Sequence, residues 1–282
     1  MGHWLKLNSI DLKQLETKGF IVIPQFLTAD EIDLLVIEYT KTKTRKKANP
    51  VKNKNASVSL GPTPPDIRNK ISNFLKQINT TTDLSVNHVF PGTTYFDNRC
   101  VKYNWHQDHD TYYMWQDSYN FLNFWIPIVK PRHDQSGICV IPFDAIMPLI
   151  SESVQHRLIG RGAKKFPTKG DITLMRDDSV GDYIPLDINI DNVKQTPNME
   201  AGDLLLMRGD VIHKTQDSLT PRVAVSIRAC NSDYVLSKEV FYNQCPFKNL
   251  YINNDVKTYE IFHENFANKD FVKLQEMLKN WI

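Results

Sequence analysis

The chain is poor in the features that mark several large protein classes. Only 4 of its 282 residues are cysteine (Cys100, Cys139, Cys230, Cys245), and none are paired as CxxC. That excludes a disulfide-built scaffold and a zinc ribbon, and predicts reduced, mostly buried thiols in a reducing compartment, the cytoplasm. Long hydrophobic runs are missing: stretches such as Phe20–Pro24 and Ile138–Phe143 fall far short of the ~20 residues a spanning helix needs. No membrane partner is expected. The opening MGHWLKLNSIDLKQLE turns charged early and lacks the apolar segment of a signal peptide. Charge of one sign is lacking too: 34 basic against 32 acidic residues leave a net +2, so there is no global field for gripping nucleic acid. There is no GxSxG, no Walker A and no GxGxxG opening a helix, which leaves hydrolase-elbow, P-loop and Rossmann readings without a foothold. No internal repeat is present.

What is there is ordinary globular composition, 41% hydrophobic and 11% aromatic, enough to build a core and to set disorder aside. The size suits an enzyme and admits one large domain or two small ones. Ser9 can cap a short helix carrying Ile10, Leu12 and Leu15 that ends before Gly19. Phe20–Pro24 reads as a buried strand. Thr28–Glu31 has capping-box form, and Ile32, Leu35, Val36 and Tyr39 follow on one helical face. Pro64-Pro65-Asp66 opens a further helix with Ile67, Ile71, Phe74, Leu75 and Ile78 inward. Between these helices KTKTRKKANPVKNKN (Lys41–Asn55) holds seven Lys or Arg in fifteen residues. With no interleaved aromatics for base stacking, it reads as a solvated loop.

From Leu84 onward short strands alternate with turns: SVNHVF, FLNFWIPIV, GICVIPF, DITLM, DLLLM and RVAVSIRACN. This spacing predicts a mainly β fold with flanking helices, a barrel or sandwich rather than βαβ units. One domain over 1–282 is the simplest organisation: 1–83 a mostly helical support, 84–235 the β core, and 236–282 a C-terminal extension. Asn268–Ile282 is expected to be an amphipathic helix in that extension. Within the core, 144–199 reads as an insertion over one sheet end, with a helix at Ala145–His156.

The chemistry concentrates in Tyr103-Asn104-Trp105-His106-Gln107-Asp108-His109-Asp110. On a strand, residues i and i+2 share a face, so His106 and Asp108 can hold one cation. His213, which follows the strand DLLLM and a turn, is the best third ligand. Two histidines and one carboxylate on one face form the facial triad of non-haem Fe(II) oxygenases, which leaves adjacent positions open for a bidentate co-substrate and dioxygen. Arg222, opening the next strand, offers a guanidinium fork for the far carboxylate of 2-oxoglutarate. Thr215, on the His213 face, could add a hydroxyl. Arg228 is the rival to Arg222 but reads better as a supporting ion pair.

These segments together resemble the phytanoyl-CoA dioxygenase-like family of iron- and 2-oxoglutarate-dependent oxygenases over most of the chain. GFIVIPQFLTADEIDLL (Gly19–Leu35), WHQDHD, SGICVIPFDA (Ser136–Ala145) and EAGDLLLMRGDVIHKT (Glu200–Thr215) carry the likeness. The resemblance implies a double-stranded β-helix (jelly-roll, cupin-like) core, Fe(II) on His106, Asp108 and His213, and 2-oxoglutarate as co-substrate on Arg222 and Thr215, flanked by Trp125. It also implies a small-molecule substrate, dioxygen as partner, and ascorbate as an accessory reductant. Since Asp108 is present, hydroxylation or a related oxidation is favoured over halogenation. Two other readings stay open: a non-catalytic jelly-roll metal-binding scaffold, and a dinuclear metallohydrolase built on His109 and Asp110. Tyr112, Tyr113 and Trp115 are candidates for a substrate wall. Lys130, Arg132, His133, Arg157, Arg161, Lys164 and Lys165 hint at an anionic substrate but read as solvated surface.

Overall fold

The computed structural model describes residues 9–48, 59–100, 102–108, 120–159, 164–177, 182–217, 220–243 and 256–279. A helix α1 (Ser9–Thr17) leads through Gly19 into strand β1 (Phe20–Ile23), then α2 (Ala29–Ala48), β2 (Ser59–Pro62) and α3 (Pro65–Thr81). Gly19 is required where it stands. Its φ is +82°, and a Cβ there would lie 2.5 Å from Val211 Cγ2 and 2.6 Å from the Phe143 ring, a clash added to backbone strain. The capping box forms as its residue types dictate: Thr28 N donates to Glu31 Oε2 (2.8 Å) and Glu31 N to Thr28 Oγ1 (3.3 Å).

The strands β3 (His88–Asp97), β4 (Phe121–Val129), β10 (Leu204–Arg208) and β12 (Val223–Cys230) join β1 and β2 in a six-stranded sheet of order β1-β10-β4-β12-β3-β2, antiparallel throughout. A second sheet begins with β5 (Ile138–Ile141) against β11 (Ile212–Thr215). It continues through a bridge from His213 to His106, and from His106 to Lys165 in β6 (Lys164–Lys165). β6 pairs with β8 (Ile172–Asp177), which also pairs with β7 (Thr168–Lys169) and β9 (Tyr183–Pro185). The fold is mainly β with flanking helices around a jelly-roll core, as expected.

Because strand side chains alternate, each sheet has a covered outer face and a shared inner one. On the large sheet, Leu122, Phe124, Ile126, Val223, Val225, Ile227, Leu204 and Leu206 face outward. They pack with Ile67, Ile71, Phe74, Leu75 and Ile78 of α3 and Leu35 of α2. On the small sheet Cys139, Ile141 and Ile212 face outward beneath Ile146, Ile150, Val154, Leu158, Phe166, Met175 and Ile190. Between the sheets Phe20, Trp125, Leu205, Met207 and Ala224 meet Ile138, Val140 and Val211.

Four expectations are corrected. The basic segment is not all loop, because α2 runs on to Ala48. Lys and Arg are good helix formers, and Lys41 pairs with Glu38 at 2.6 Å; its remainder, 49–55, lies outside the described residues. The segment 144–199 is not merely a cover over a sheet end: it supplies β6 to β9 and packs over the outer face of the small sheet. Its expected helix Ala145–His156 is broken into Phe143–Ile146, a 3₁₀ turn Met147–Leu149 and Glu152–Leu158, Pro148 at the break supplying no N–H. The C-terminal helix is a strand β14 (Phe271–Lys273), paired with β13 (Val235–Ser237), followed by a single turn Leu274–Leu278. Cys139 and Cys230 are buried free thiols and Cys100 an exposed one; Cys245 lies outside the described residues. No helix among those residues is long and apolar enough to cross a membrane.

One buried charge ties α2 to the large sheet. Asp97, at the end of β3, accepts from Tyr39 Oη (2.8 Å) and from Arg99 Nε and Nη2 (2.8 and 2.7 Å). Burial acts to raise the Asp97 carboxyl, but the Arg99 and Tyr39 bonds outweigh it and hold it well below the carboxylate range. Burial, then the bond to Asp97, pushes Tyr39 up to about 12. A carboxyl depressed in the folded state stabilises the fold above its unfolded value, near pH 4, and that contribution is lost as pH falls further. Asp97→Asn is therefore expected to cost about 1.5–3 kcal/mol at neutral pH, the size of bonds to a charged group. It should also flatten the loss of stability below about pH 4. Denaturant melts of both chains at neutral and acid pH check this; parallel acid limbs would contradict it.

Candidate metal centre

The site is assembled by backbone pairing between distant segments. His106 N donates to His213 O (3.0 Å) and His213 N to His106 O (2.9 Å), a closed antiparallel pair that sets the two rings side by side, centroids 4.3 Å apart. The next two residues are pinned separately. Gln107 N donates to Lys164 O (2.9 Å) and Asp108 N to Gly209 O (3.2 Å). The Gln107 amide points away and donates to Leu158 O (2.8 Å) and Asp210 O (2.6 Å). The regular strand expected under His106 and Asp108 is thus a single bridge at His106, yet both side chains still converge on one point.

The ligand atoms of His106, Asp108 and His213 all lie within 4.8 Å of one another, the one such group of three among the described residues. His213 Nε2 is 3.7 Å from Asp108 Oδ1. Each imidazole sets its Nδ1 against a backbone carbonyl, His106 against Asn104 O (2.7 Å) and His213 against Val211 O (2.9 Å). An Nδ1–H donated there fixes the tautomer whose Nε2 lone pair is free to ligate. Burial, then the neighbouring His213, lowers His106 to about 4, so its ring is neutral near pH 7, the form that binds metal. Burial works to raise Asp108, but His213, Arg228 and His106 together hold it below the ordinary carboxylate range, so it is anionic. Two imidazole nitrogens and one carboxylate oxygen on one face suit a facial divalent metal such as iron.

Asp108 is itself held. Asn123 Nδ2 donates to Asp108 Oδ2 (3.1 Å), and Ser226 Oγ donates to Asn123 Oδ1 (2.7 Å). Behind the histidines, on the outer face, Asp191 accepts from Lys214 (2.9 Å) and from Trp105 Nε1 (3.3 Å), the chain neighbours of His213 and His106. Burial acts to raise Asp191, but Lys214, Lys194 and Trp105 lower it to about 2. A buried pair, Arg208 and Asp210 (2.7 Å), braces the turn that leads into β11. None of these supports was read from the sequence. Asn123 and Ser226 carried a usable signal: each is polar inside an otherwise apolar strand, and a buried polar group demands a partner.

The remaining expected residues line the inner face. In register, Ala224 lies beside Pro127, Ser226 beside Trp125 and Arg228 beside Asn123, so Arg222, two residues before Ala224, shares the face that reaches Asp108. Arg222 is 2% exposed, its Nε has no hydrogen-bond partner among the described residues, and its guanidinium lies 5.1 Å from the centre of the Trp125 ring. Burial lowers its pKa to about 10. Asn98 fixes its backbone, accepting from Arg222 N at 2.8 Å and donating to Arg222 O at 3.1 Å. Thr215 is buried, and its Oγ1 accepts from Tyr103 N (3.1 Å). Arg228, expected in a supporting role, is near enough for its charge to act on Asp108 and His106. Among the basic residues read as surface, Lys130 is spent on the Arg132 and His133 carbonyls and Arg132 on Asp134, whereas Lys164 is fully buried. His109, Asp110, Tyr112, Tyr113, Trp115 and Arg161 lie outside the described residues.

Fold and site together define a jelly-roll protein with a two-histidine, one-carboxylate centre. Comparison with known protein families finds no match, and neither does comparison with curated proteins. Solved structures are similar in fold. The non-haem α-ketoglutarate-dependent carbocyclase SnoK of nogalamycin biosynthesis aligns over 81% of this chain and 85% of that one, at 11% identity and TM-score 0.51. EctD from S. alaskensis in its apoform aligns over 87% and 85%, at 14% identity and TM-score 0.50. At these identities the likeness is one of fold.

The geometry has a direct test. Chain freed of metal by chelation should bind one divalent ion, and at 100 times Kd that ion should add about 2.7 kcal/mol to stability. His106→Ala should abolish the stabilisation. Elemental analysis and thermal melts report both; two ions per chain would favour the dinuclear reading instead.

Proposed function

We propose that this chain is an Fe(II)- and 2-oxoglutarate-dependent dioxygenase that oxidises an unactivated C–H bond of a small molecule, with release of succinate and carbon dioxide. Iron and the keto acid supply that oxidation chemistry when bound. His106, Asp108 and His213 would hold the metal from one side and leave the other side to co-substrate, dioxygen and substrate. Arg222 would take the far carboxylate of 2-oxoglutarate through its fork, with Thr215 adding a hydroxyl and Trp125 forming the wall beneath. The apolar residues between the sheets, Ile138, Val140, Leu205 and Met207 among them, would exclude water and strengthen each charge interaction inside. Within this class the motifs quoted above support a place in the phytanoyl-CoA dioxygenase-like family. We read 1–282 as one cytoplasmic domain, and ascorbate as an accessory that keeps iron reduced.

A single observation carries the reading: the buried Arg222 guanidinium, on the same sheet face as the triad, whose Nε has no hydrogen-bond partner among the described residues. Burial disfavours the Arg222 charge and Asp97 acts on it only through its own charge, so a carboxylate of the co-substrate would give the guanidinium the direct partner that offsets its desolvation. The fold it shares with SnoK, described as α-ketoglutarate-dependent, agrees with this reading.

The test is the purified chain with Fe(II), ascorbate and 2-oxoglutarate, with succinate measured. Succinate should form only with all components present. Arg222→Met should raise the KM for 2-oxoglutarate roughly 100-fold, as expected for losing about 2–3 kcal/mol of charge-assisted bonding. Metal and 2-oxoglutarate binding with no succinate under any condition would favour the scaffold reading.

A further inference from the structure

We infer that Asn123 and Ser226 are positioning residues that hold Asp108 to a single metal–oxygen bond. This deepens the metal reading proposed above and rests on it. A carboxylate can ligate through one oxygen or chelate through both, and a chelating Asp108 would take up a position the co-substrate or dioxygen needs. Here the two oxygens are already differentiated. Oδ1 is the one that faces His213 Nε2 at 3.7 Å, while Oδ2 accepts from Asn123 Nδ2 at 3.1 Å. The amide N–H takes a lone pair on Oδ2 and fixes the rotation of the carboxylate.

The ionised carboxylate can only accept, so it selects the NH₂ end of the amide, and Ser226 holds the other end in place. Asn123 has one donor end and one acceptor end. The Ser226 hydroxyl donates to Asn123 Oδ1 at 2.7 Å, which anchors the amide with its NH₂ toward Asp108. A flipped amide would set a carbonyl oxygen against the carboxylate in a site where Asn123, Ser226 and Asp108 are all buried. Plain packing does not account for the pair. β4 reads FLNFWIPIV, and an amide in that apolar strand carries a desolvation cost that its hydrogen bonds must offset. Those bonds end on a ligand.

The experiment titrates the metal-free full chain with Co(II) and follows both affinity and the visible absorption of bound Co(II), which reports coordination geometry. Asn123→Ala should weaken Co(II) binding 10- to 100-fold, the range for groups that orient ligands, and should change the spectrum. Ser226→Ala should weaken it less and Ser226→Thr, which keeps the hydroxyl, should restore it. The double variant Asn123→Ala/Ser226→Ala should bind no more weakly than Asn123→Ala alone, because the serine acts through the asparagine. Parental affinity and spectrum in Asn123→Ala, or losses that multiply in the double variant, would overturn the inference. Should Asn123→Ala not fold, the serine pair decides: Ser226→Ala indistinguishable from the parent would overturn it. A parent chain that binds no Co(II) would overturn the metal reading as well, whereas a parent that binds and an unaffected Asn123→Ala would overturn this inference alone.

Discussion

Everything at the centre depends on one reciprocal backbone pair, His106 with His213. Two hydrogen bonds of 3.0 and 2.9 Å join segments far apart in the chain, and they place two imidazoles side by side before any metal is considered. Asp108 then reaches the same point because Gln107 is anchored on the opposite side, its amide tied to Leu158 and Asp210. The two histidines are therefore set by ladder contacts, while Asp108, outside any strand, is fixed by its N–H bond to Gly209 O, and a site held this closely is the more accurate for it.

The second constraint is the division of each sheet into an outer face and an inner face. Helices cover the outside of the large sheet, and residues such as Ile146, Ile150, Val154, Leu158, Met175 and Ile190 cover the outside of the small one. Both covers let the inner faces hold polar groups that an exposed sheet would surrender to water. Arg222, Ser226, Asn123 and Asp108 sit on that inner surface, with Trp125 under the guanidinium. The large sheet thus supplies the charge at one end and the support for the carboxylate at the other, while the small sheet supplies the histidines.

Much of this was legible in residue spacing. All five inward residues of α3 are the buried ones, because a 3.6-residue period leaves little choice of face. β4 keeps the span of its apolar run, Phe121–Val129, and the His-x-Asp with a distant histidine named three side chains whose ligand atoms lie within 4.8 Å of one another. What stayed hidden depends on tertiary partners. In helix α2, Lys41 and Lys43 find Glu38 and Asp97 as partners, which charge density alone does not reveal. The role of 144–199 as strand and cover follows from Cys139, Ile141 and Ile212 needing a lid on their own side. Asn123 and Ser226 become intelligible only when β4 and β12 are laid together in register.

The central claim is that metal and 2-oxoglutarate bind together between His106, Asp108, His213 and Arg222. Anaerobic addition of 2-oxoglutarate to the Fe(II)-loaded chain tests it most directly. A weak visible charge-transfer band should appear in the parent chain, be absent in His213→Ala, and require far more 2-oxoglutarate in Arg222→Met. An Fe(II)-loaded parent chain that gives no band at saturating 2-oxoglutarate would contradict it.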